Sequence, residues 1–135
     1  MQQGDDSLAW RGAFESGEVN ALHAEAFGHA VLADDWWAQV NRHSLGWVCL
    51  RRDGRLTGFV NVAWDGGVHA FLLDTMVARD QQRQGHAARM VALAAERAKA
   101  SGCEWLHVDF EPRLRDFYFG ACGFKPTDAG LIALR

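Results

Sequence analysis

The 135-residue chain is poor in several things at once. It holds one tyrosine, two prolines and three cysteines, and only Lys99 and Lys125 among its fourteen basic residues are lysine. No apolar stretch approaches the ~20 residues that a membrane-spanning helix needs. The opening Met1-Gln2-Gln3-Gly4-Asp5-Asp6 is acidic where a secretory leader would be basic, so no such signal is expected. Fourteen basic against seventeen acidic residues leave a net charge of −3, which argues against nucleic acid or an anionic membrane as a partner. Cys49, Cys103 and Cys122 are odd in number and lack C-x-x-C spacing, which suits reduced thiols and a cytoplasmic setting. His23, His29, His43, His69, His86 and His107 follow no zinc-ligand spacing, so no metal is expected and satisfied or surface histidines are the default. Two nucleotide loops are missing as well. There is no G-x-x-x-x-G-K-[ST], and Gly85 lacks the companions of a G-x-G-x-x-G turn.

What is present is an ordinary globular composition, 49% hydrophobic and 23% charged, in a length that suits one domain over residues 1–135. Leu8 to Phe14 reads as a first strand, and Glu18 to Phe27 as a helix from the spacing of Val19, Leu22, His23, Ala26 and Phe27. Asp34 is placed to cap a second helix holding Trp36, Trp37 and Val40. Strands 46–52 and 56–64 flank an Asp53-Gly54 turn signal and predict a hairpin. After Asp65-Gly66-Gly67, residues 68–77 form another strand, and 85–101 is the clearest helix, with Met90, Val91, Ala94, Ala95 and Ala98 in one stripe. A strand over 104–110, a short helix from Pro112 to Ala121 and one or two closing strands within 123–134 complete the order. The sum is β-α-α-β-β-β-α-β-α-β, an α/β domain (α+β mixed sheet) with a twisted mixed β-sheet flanked by helices.

The most informative stretch runs from Thr75 to Val91. An apolar strand enters the polar turn Arg79-Asp80-Gln81-Gln82-Arg83-Gln84, which opens through Gly85 into an alanine-rich helix. Free backbone N–H groups at the positive end of a helix suit a phosphate or pyrophosphate. A glycine there lets a ligand lie against the backbone. A plain strand-to-helix connection would read the same way from the turn alone. Arg79, Arg83 and Arg89 are candidates to add charge beside phosphate groups, or are simply solvated.

Within that turn, Gln82-Arg83-Gln84-Gly85-His86-Ala87 fits the Q/R-x-x-G-x-G/A pattern of acetyl-CoA-binding enzymes, and the chain resembles the GNAT superfamily of N-acetyltransferases. Further on, Phe117-Tyr118 followed after four residues by Gly123-Phe124 resembles a second segment of that family. Together the two cover about residues 68–126, while the N-terminal half resembles the family only in element order. The resemblance implies acetyl-CoA as co-substrate and a primary amine of a small molecule or peptide as acceptor. It implies cofactor contacts from Gln82, Arg83, Gln84, Gly85, His86 and Ala87, with the backbone of Met76 and Val77 pairing with the pantetheine arm and one N–H polarising the thioester. Tyr118 takes the position of the family's general acid, protonating the departing thiolate. Asp74, a carboxylate within the apolar run 71–77, matches the acidic residue that many members place before the cofactor turn to assist deprotonation of the amine. A hydrogen bond to neighbouring backbone would account for it equally well. One departure stands out: the asparagine that many members carry before the Tyr helix is absent from Phe110-Glu111-Pro112-Arg113-Leu114.

For the acceptor side, Trp36, Trp37, Trp47 and Trp64 with Asp34, Asp35 and Asp65 offer aromatic faces and negative charge suited to a cationic amine. His107 and Asp109 alternate onto one strand face near Tyr118. A non-catalytic acyl-CoA sensor and a pure interaction domain are the rival readings. A homodimer through an open edge at Leu131 to Leu134 is a further expectation.

Overall fold

Residues 6–135 are described by the structure, a computed structural model of the chain. Strand β2 (Ser44–Arg52) and strand β3 (Arg55–Trp64) pair antiparallel through a two-residue turn. Asp53 and Gly54 both carry positive φ there, 50° and 84°, which matches the twist of the flanking strands as the Asp-Gly signal predicts. Val48, Leu50, Val60 and Val62 alternate onto one face, and Trp47, Cys49 and Phe59 onto the other. Both faces of the central pair are therefore apolar, and each must be covered.

Helix α3 (His86–Ala100) covers the first face with Met90, Val91, Ala94 and Ala98. Helices α1 (Ser16–Phe27) and α2 (Trp36–His43) cover the second with Val19, Leu22, Trp36 and Val40. Gly58 permits the close approach of α3, since a Cβ there would come within 2.9 Å of the Met90 sulfur. The sheet is completed by β1 (Asp6–Trp10), β4 (His69–Val77) and β5 (Trp105–His107), in the order β1-β2-β3-β4-β5. All neighbours are antiparallel except β4 and β5, which run parallel because α3 crosses between them.

Local chemistry sets the helix ends. The Glu15 backbone N–H donates to Glu18 Oε1 at 2.9 Å, and Glu18 also accepts two hydrogen bonds from Arg51 at 2.7 and 2.9 Å, tying the start of α1 to β2. Gly28 closes α1 in the left-handed conformation, φ 70°. Asp35, not Asp34, caps α2, accepting from the Ala38 N–H at 3.1 Å. Asp34 is held one residue earlier because the buried Asn20 side chain bonds its backbone at both N–H and C=O.

Four further expectations are corrected. The first strand stops at Trp10, where Arg11 turns to φ 57° and donates its N–H to Trp47 O at 2.7 Å. The strand expected over 104–110 pairs only over Trp105–His107, because β4 and β5 diverge. A 3-10 turn, Pro112–Leu114, and a π-helical turn, Asp116–Ala121, replace one continuous helix after Pro112. No strand forms in 123–134, and Leu131, Ile132 and Leu134 are exposed, so the edge on which a homodimer was inferred is not there.

Candidate active site

The site grows out of a defect in the sheet. β4 pairs with β5 only at His69, Ala70 and Phe71, after which the two parallel strands splay apart. On its other side, β4 slips register against β3: Phe59 opposes Met76, but Asn61 opposes Leu73. Two steps on β3 thus face three on β4, and Asp74 absorbs the extra residue with φ 58°. Such a bulge bends the strand and re-aims its side chains. A non-glycine residue in that conformation costs roughly 1–2 kcal/mol, so the surroundings must hold it there.

Asn61 does so. It is buried on the α1/α2 face, donates from Nδ2 to Asp74 Oδ2 at 3.2 Å and accepts from Ser44 Oγ. The Asp74 carboxylate is therefore drawn toward the α1/α2 face. Thr75, next in sequence, meets Tyr118 on the opposite face, where the tyrosine is buried with α3. The Tyr118 ring stacks on Phe110 at 4.6 Å and meets Phe117 and Phe124 edge-on. Burial pushes the Tyr118 hydroxyl above its ordinary pKa, against a hydrogen bond with Thr75 that pulls it down. The bulge thus sets a carboxylate and a neutral phenol on opposite sides of one strand, at the mouth of the splay.

Backbone direction supplies a third group. The Ala78 N–H donates to Thr57 O at 2.8 Å, so in the alternation of an antiparallel pair Met76 also faces β3, while the Val77 N–H and C=O face the splay. Of the two residues expected to meet a ligand through the backbone, Met76 is committed to the sheet and Val77 is open. The Val77 carbonyl accepts from Gln82 Nε2 at 3.0 Å, which leaves its N–H as the outward donor.

The turn beyond β4 runs through a 3-10 segment, Arg79–Gln81, and then Gln82, Arg83 (φ 62°) and Gln84 to Gly85 (φ 82°). Gly85 precedes α3 with no capping side chain, and the first intrahelical bond is from the Arg89 N–H to Gly85 O. The N–H groups of His86, Ala87 and Ala88 therefore lack helical acceptors. A Cβ at Gly85 would project into open space. Gln82, Arg83 and Gln84 are exposed around the turn, whereas the His86 side chain is buried beneath it, its Nδ1 3.2 Å from Arg89 Nη1. Arg79 does not reach toward the turn's open side. Its Nε donates to the Glu25 carbonyl at 3.0 Å and its N–H to the Glu25 carboxylate, clamping the end of α1 to the turn.

Several residues named for the acceptor side lie elsewhere. Trp36 and Trp47 are core, Asp35 is a cap, and Asp65 accepts from the Gly67 N–H at 2.7 Å to shape the β3–β4 turn. Trp37 lines a separate open depression with Phe14, Glu15 and Arg51 at the N-terminal ends of α1 and α2, away from the splay. His107 is exposed on the α1/α2 face, bonded to His69 at 2.8 Å and stacked on Phe71. Burial pushes the Cys49 thiol up to about 12, which leaves it inert as a nucleophile. Among the described residues no cluster of three metal-ligating side chains occurs, and no helix is long and apolar enough to cross a membrane. Asn61 and Thr75 were missed from the sequence. An asparagine in the middle of the apolar run 56–64 was the available signal for the first.

The chain belongs to the acetyltransferase (GNAT) family, whose model matches residues 10–124. It is similar in structure to a GNAT-family acetyltransferase from Streptococcus pneumoniae, at 18% identity and TM-score 0.77 over 97% of this chain and 98% of that one. It is also similar to the aminoglycoside N-acetyltransferase AAC(6')-Iy in complex with CoA, at 16% identity and TM-score 0.73 over 99% and 97% of the two chains. Glucosamine-6-phosphate N-acetyltransferase from Arabidopsis thaliana matches at 13% identity and TM-score 0.74, over 94% and 97%. A comparison with curated proteins returns no significant sequence match.

Proposed function

We propose that the chain is an N-acetyltransferase that moves the acetyl group of acetyl-CoA directly onto a primary amine of a small molecule or peptide. The observation that carries this reading is the pairing of the outward Val77 N–H with the Tyr118 hydroxyl, held by Thr75 two residues away on the same arm of the splay.

In this reading the open N–H groups of His86, Ala87 and Ala88, with the side chains of Gln82, Arg83 and Gln84, hold the pyrophosphate of acetyl-CoA. His86 contributes only its backbone, because its ring is buried. The pantetheine arm enters between β4 and β5 and pairs with Val77. The Val77 N–H donates to the thioester oxygen and stabilises the charge that develops there on attack. Tyr118, kept neutral by burial, donates its proton to the sulfur as the C–S bond breaks and negative charge builds there, and solvent then reprotonates the phenolate. Asp74, on the opposite face, draws the cationic amine toward the carbonyl carbon. The departure at 110–114, where many members carry an asparagine, leaves that side of the arm to the stacked ring of Phe110.

Release of coenzyme A thiol in the presence of a panel of primary amines tests the proposal. The panel would hold an aminoglycoside, glucosamine 6-phosphate, a polyamine and a peptide N-terminus. Amine-dependent thiol release supports it. Binding of acetyl-CoA without transfer to any amine would favour a non-catalytic acyl-CoA sensor.

A further inference from the structure

His23, near the end of α1, sits on the same face of the sheet as the Asp74 carboxylate. Its Nδ1 lies 2.6 Å from His29 Nε2, and His29 Nδ1 lies 2.7 Å from the Ala30 carbonyl oxygen. These two contacts determine the tautomers of a neutral pair. A carbonyl can only accept, so His29 carries its proton on Nδ1 and presents a lone pair at Nε2. His23 must then donate from Nδ1, which leaves the lone pair of His23 on Nε2. That atom has no hydrogen-bond partner among the described residues.

The ring is positioned as well as polarised. His23 packs against Phe27 at 4.6 Å and against Trp36 at 5.7 Å, so it is half-buried between the two helices. Trp36 is itself fixed by Nε1 donating to Asn20 at 3.1 Å. Charged and titratable groups face the ring from three elements: His29 after α1, Asp34 before α2, and Asp74 on β4. Burial, then His29, lower the proton affinity of His23, while Asp74 and Asp34 oppose them, and the net direction is down. His23 is therefore neutral near pH 7, with a free acceptor on the sheet face that carries Asp74.

We propose that His23 and His29 form a proton relay that deprotonates the ammonium group of the acceptor. The inference rests on the acetyltransferase reading and adds the base that reading lacks. His23 Nε2 takes a proton from R–NH3+, and the freed amine attacks the thioester carbon. His23 Nδ1–H passes its proton to His29 Nε2, the exposed imidazolium of His29 releases a proton to water, and exchange with solvent returns both rings to the Nδ1 tautomer before the next turnover. The tetrahedral adduct gives its second amine proton to water as the C–S bond breaks, the thiolate receives the Tyr118 proton and water reprotonates the phenolate, so each turnover releases one proton net. Asp74, on the same face, positions the cation.

The test has two readouts on the full chain. Nitrogen-15 side-chain spectra at pH 7.5, assigned with His23→Gln and His29→Gln variants, report tautomers without any substrate. The relay requires both rings protonated on Nδ1, and a proton on His23 Nε2 would overturn it. With the panel amine that wild type acetylates fastest, His29→Ala should lower kcat/KM about tenfold near pH 7, and the loss should shrink as pH approaches the amine's own pKa. Acetyl-CoA affinity should stay within twofold. A loss of equal size at every pH would mark a structural role and sink the relay alone. Wild type that fails to bind acetyl-CoA would instead remove the transferase reading, and the relay with it.

Discussion

The side-chain amide of Gln82 donates to the carbonyl oxygen of Val77 at 3.0 Å, so the turn closes back on the last residue of β4. The bond engages the outward carbonyl of Val77 and leaves its N–H as the open group. Gln82→Ala should therefore loosen the turn and weaken acetyl-CoA binding. A neutral hydrogen bond is worth about 0.5–1.5 kcal/mol, which corresponds to roughly a two- to tenfold rise in Kd by calorimetry. Unchanged affinity would mean that the bond does not organise the site.

Tyr118→Phe keeps the ring among Phe110, Phe117 and Phe124 and removes only the hydroxyl. Thermal stability should change little, since one bond to Thr75 is lost. Turnover should fall by about 10²-fold or more, the usual contribution of a positioned acid, with acetyl-CoA affinity retained. The pH profile carries the sign of the shift. Burial raises the hydroxyl pKa, so the protonated form persists, and the alkaline loss of turnover caused by Tyr118 should fall above pH ~10. An alkaline limb near pH 8 that disappears in Tyr118→Phe would contradict the assignment.

Asp74 separates stability from function. Its φ of 58° suits glycine better than aspartate. Asp74→Gly relieves backbone strain while leaving Asn61 Nδ2 short of a partner, and the two effects, each about 1–2 kcal/mol, should nearly cancel in a denaturation curve. Asp74→Val keeps the strain and loses the bond, so it should unfold more easily by about 2 kcal/mol. Both variants should slow amine acetylation by a similar factor. Full activity in Asp74→Gly would remove the carboxylate from the account.

Glu18 links α1 to β2 through Arg51, with hydrogen bonds to the guanidinium at 2.7 and 2.9 Å. The bond to Arg51 holds the Glu18 carboxyl below its usual pKa. A depressed folded-state pKa stabilises above the unfolded value of ~4.3, and the contribution is lost as pH falls through the folded value. Because the pair is partly solvated, Glu18→Gln should cost only about 0.5–1 kcal/mol at pH 7. The two denaturation curves should converge at acid pH, and a gap that persists at pH 3 would argue against the linkage.

Local signals were legible in the sequence. Asp53-Gly54 specified its hairpin because both residues tolerate positive φ. Gly85 marked the turn into α3, and the single tyrosine marked the segment after Pro112. Features set by distant partners were not legible. The bulge at Asp74 depends on Asn61 thirteen residues earlier, and the divergence of β5 depends on what fails to pair across the splay. The α2 cap moved from Asp34 to Asp35 because Asn20 grips the Asp34 backbone, a contact that no local rule encodes. Apolar residues such as Leu131, Ile132 and Leu134 read as a strand by pattern, yet without a paired neighbour the pattern forms none. The His23–His29 pair was invisible for a related reason: six residues apart, the two meet only because Gly28 turns the chain back at the end of α1.

The central claim is that the turn into α3 binds acetyl-CoA through open backbone N–H groups. Calorimetric titration of the wild type and of Gly85→Glu with acetyl-CoA tests it most directly. A glutamate there would adopt an unfavourable φ and project a negative charge into the open space over the turn. The account predicts binding in the micromolar range for wild type and a loss of at least tenfold in the variant, with circular dichroism unchanged. Equal binding by both proteins would place acetyl-CoA elsewhere, and absence of binding to wild type would contradict the account at its root.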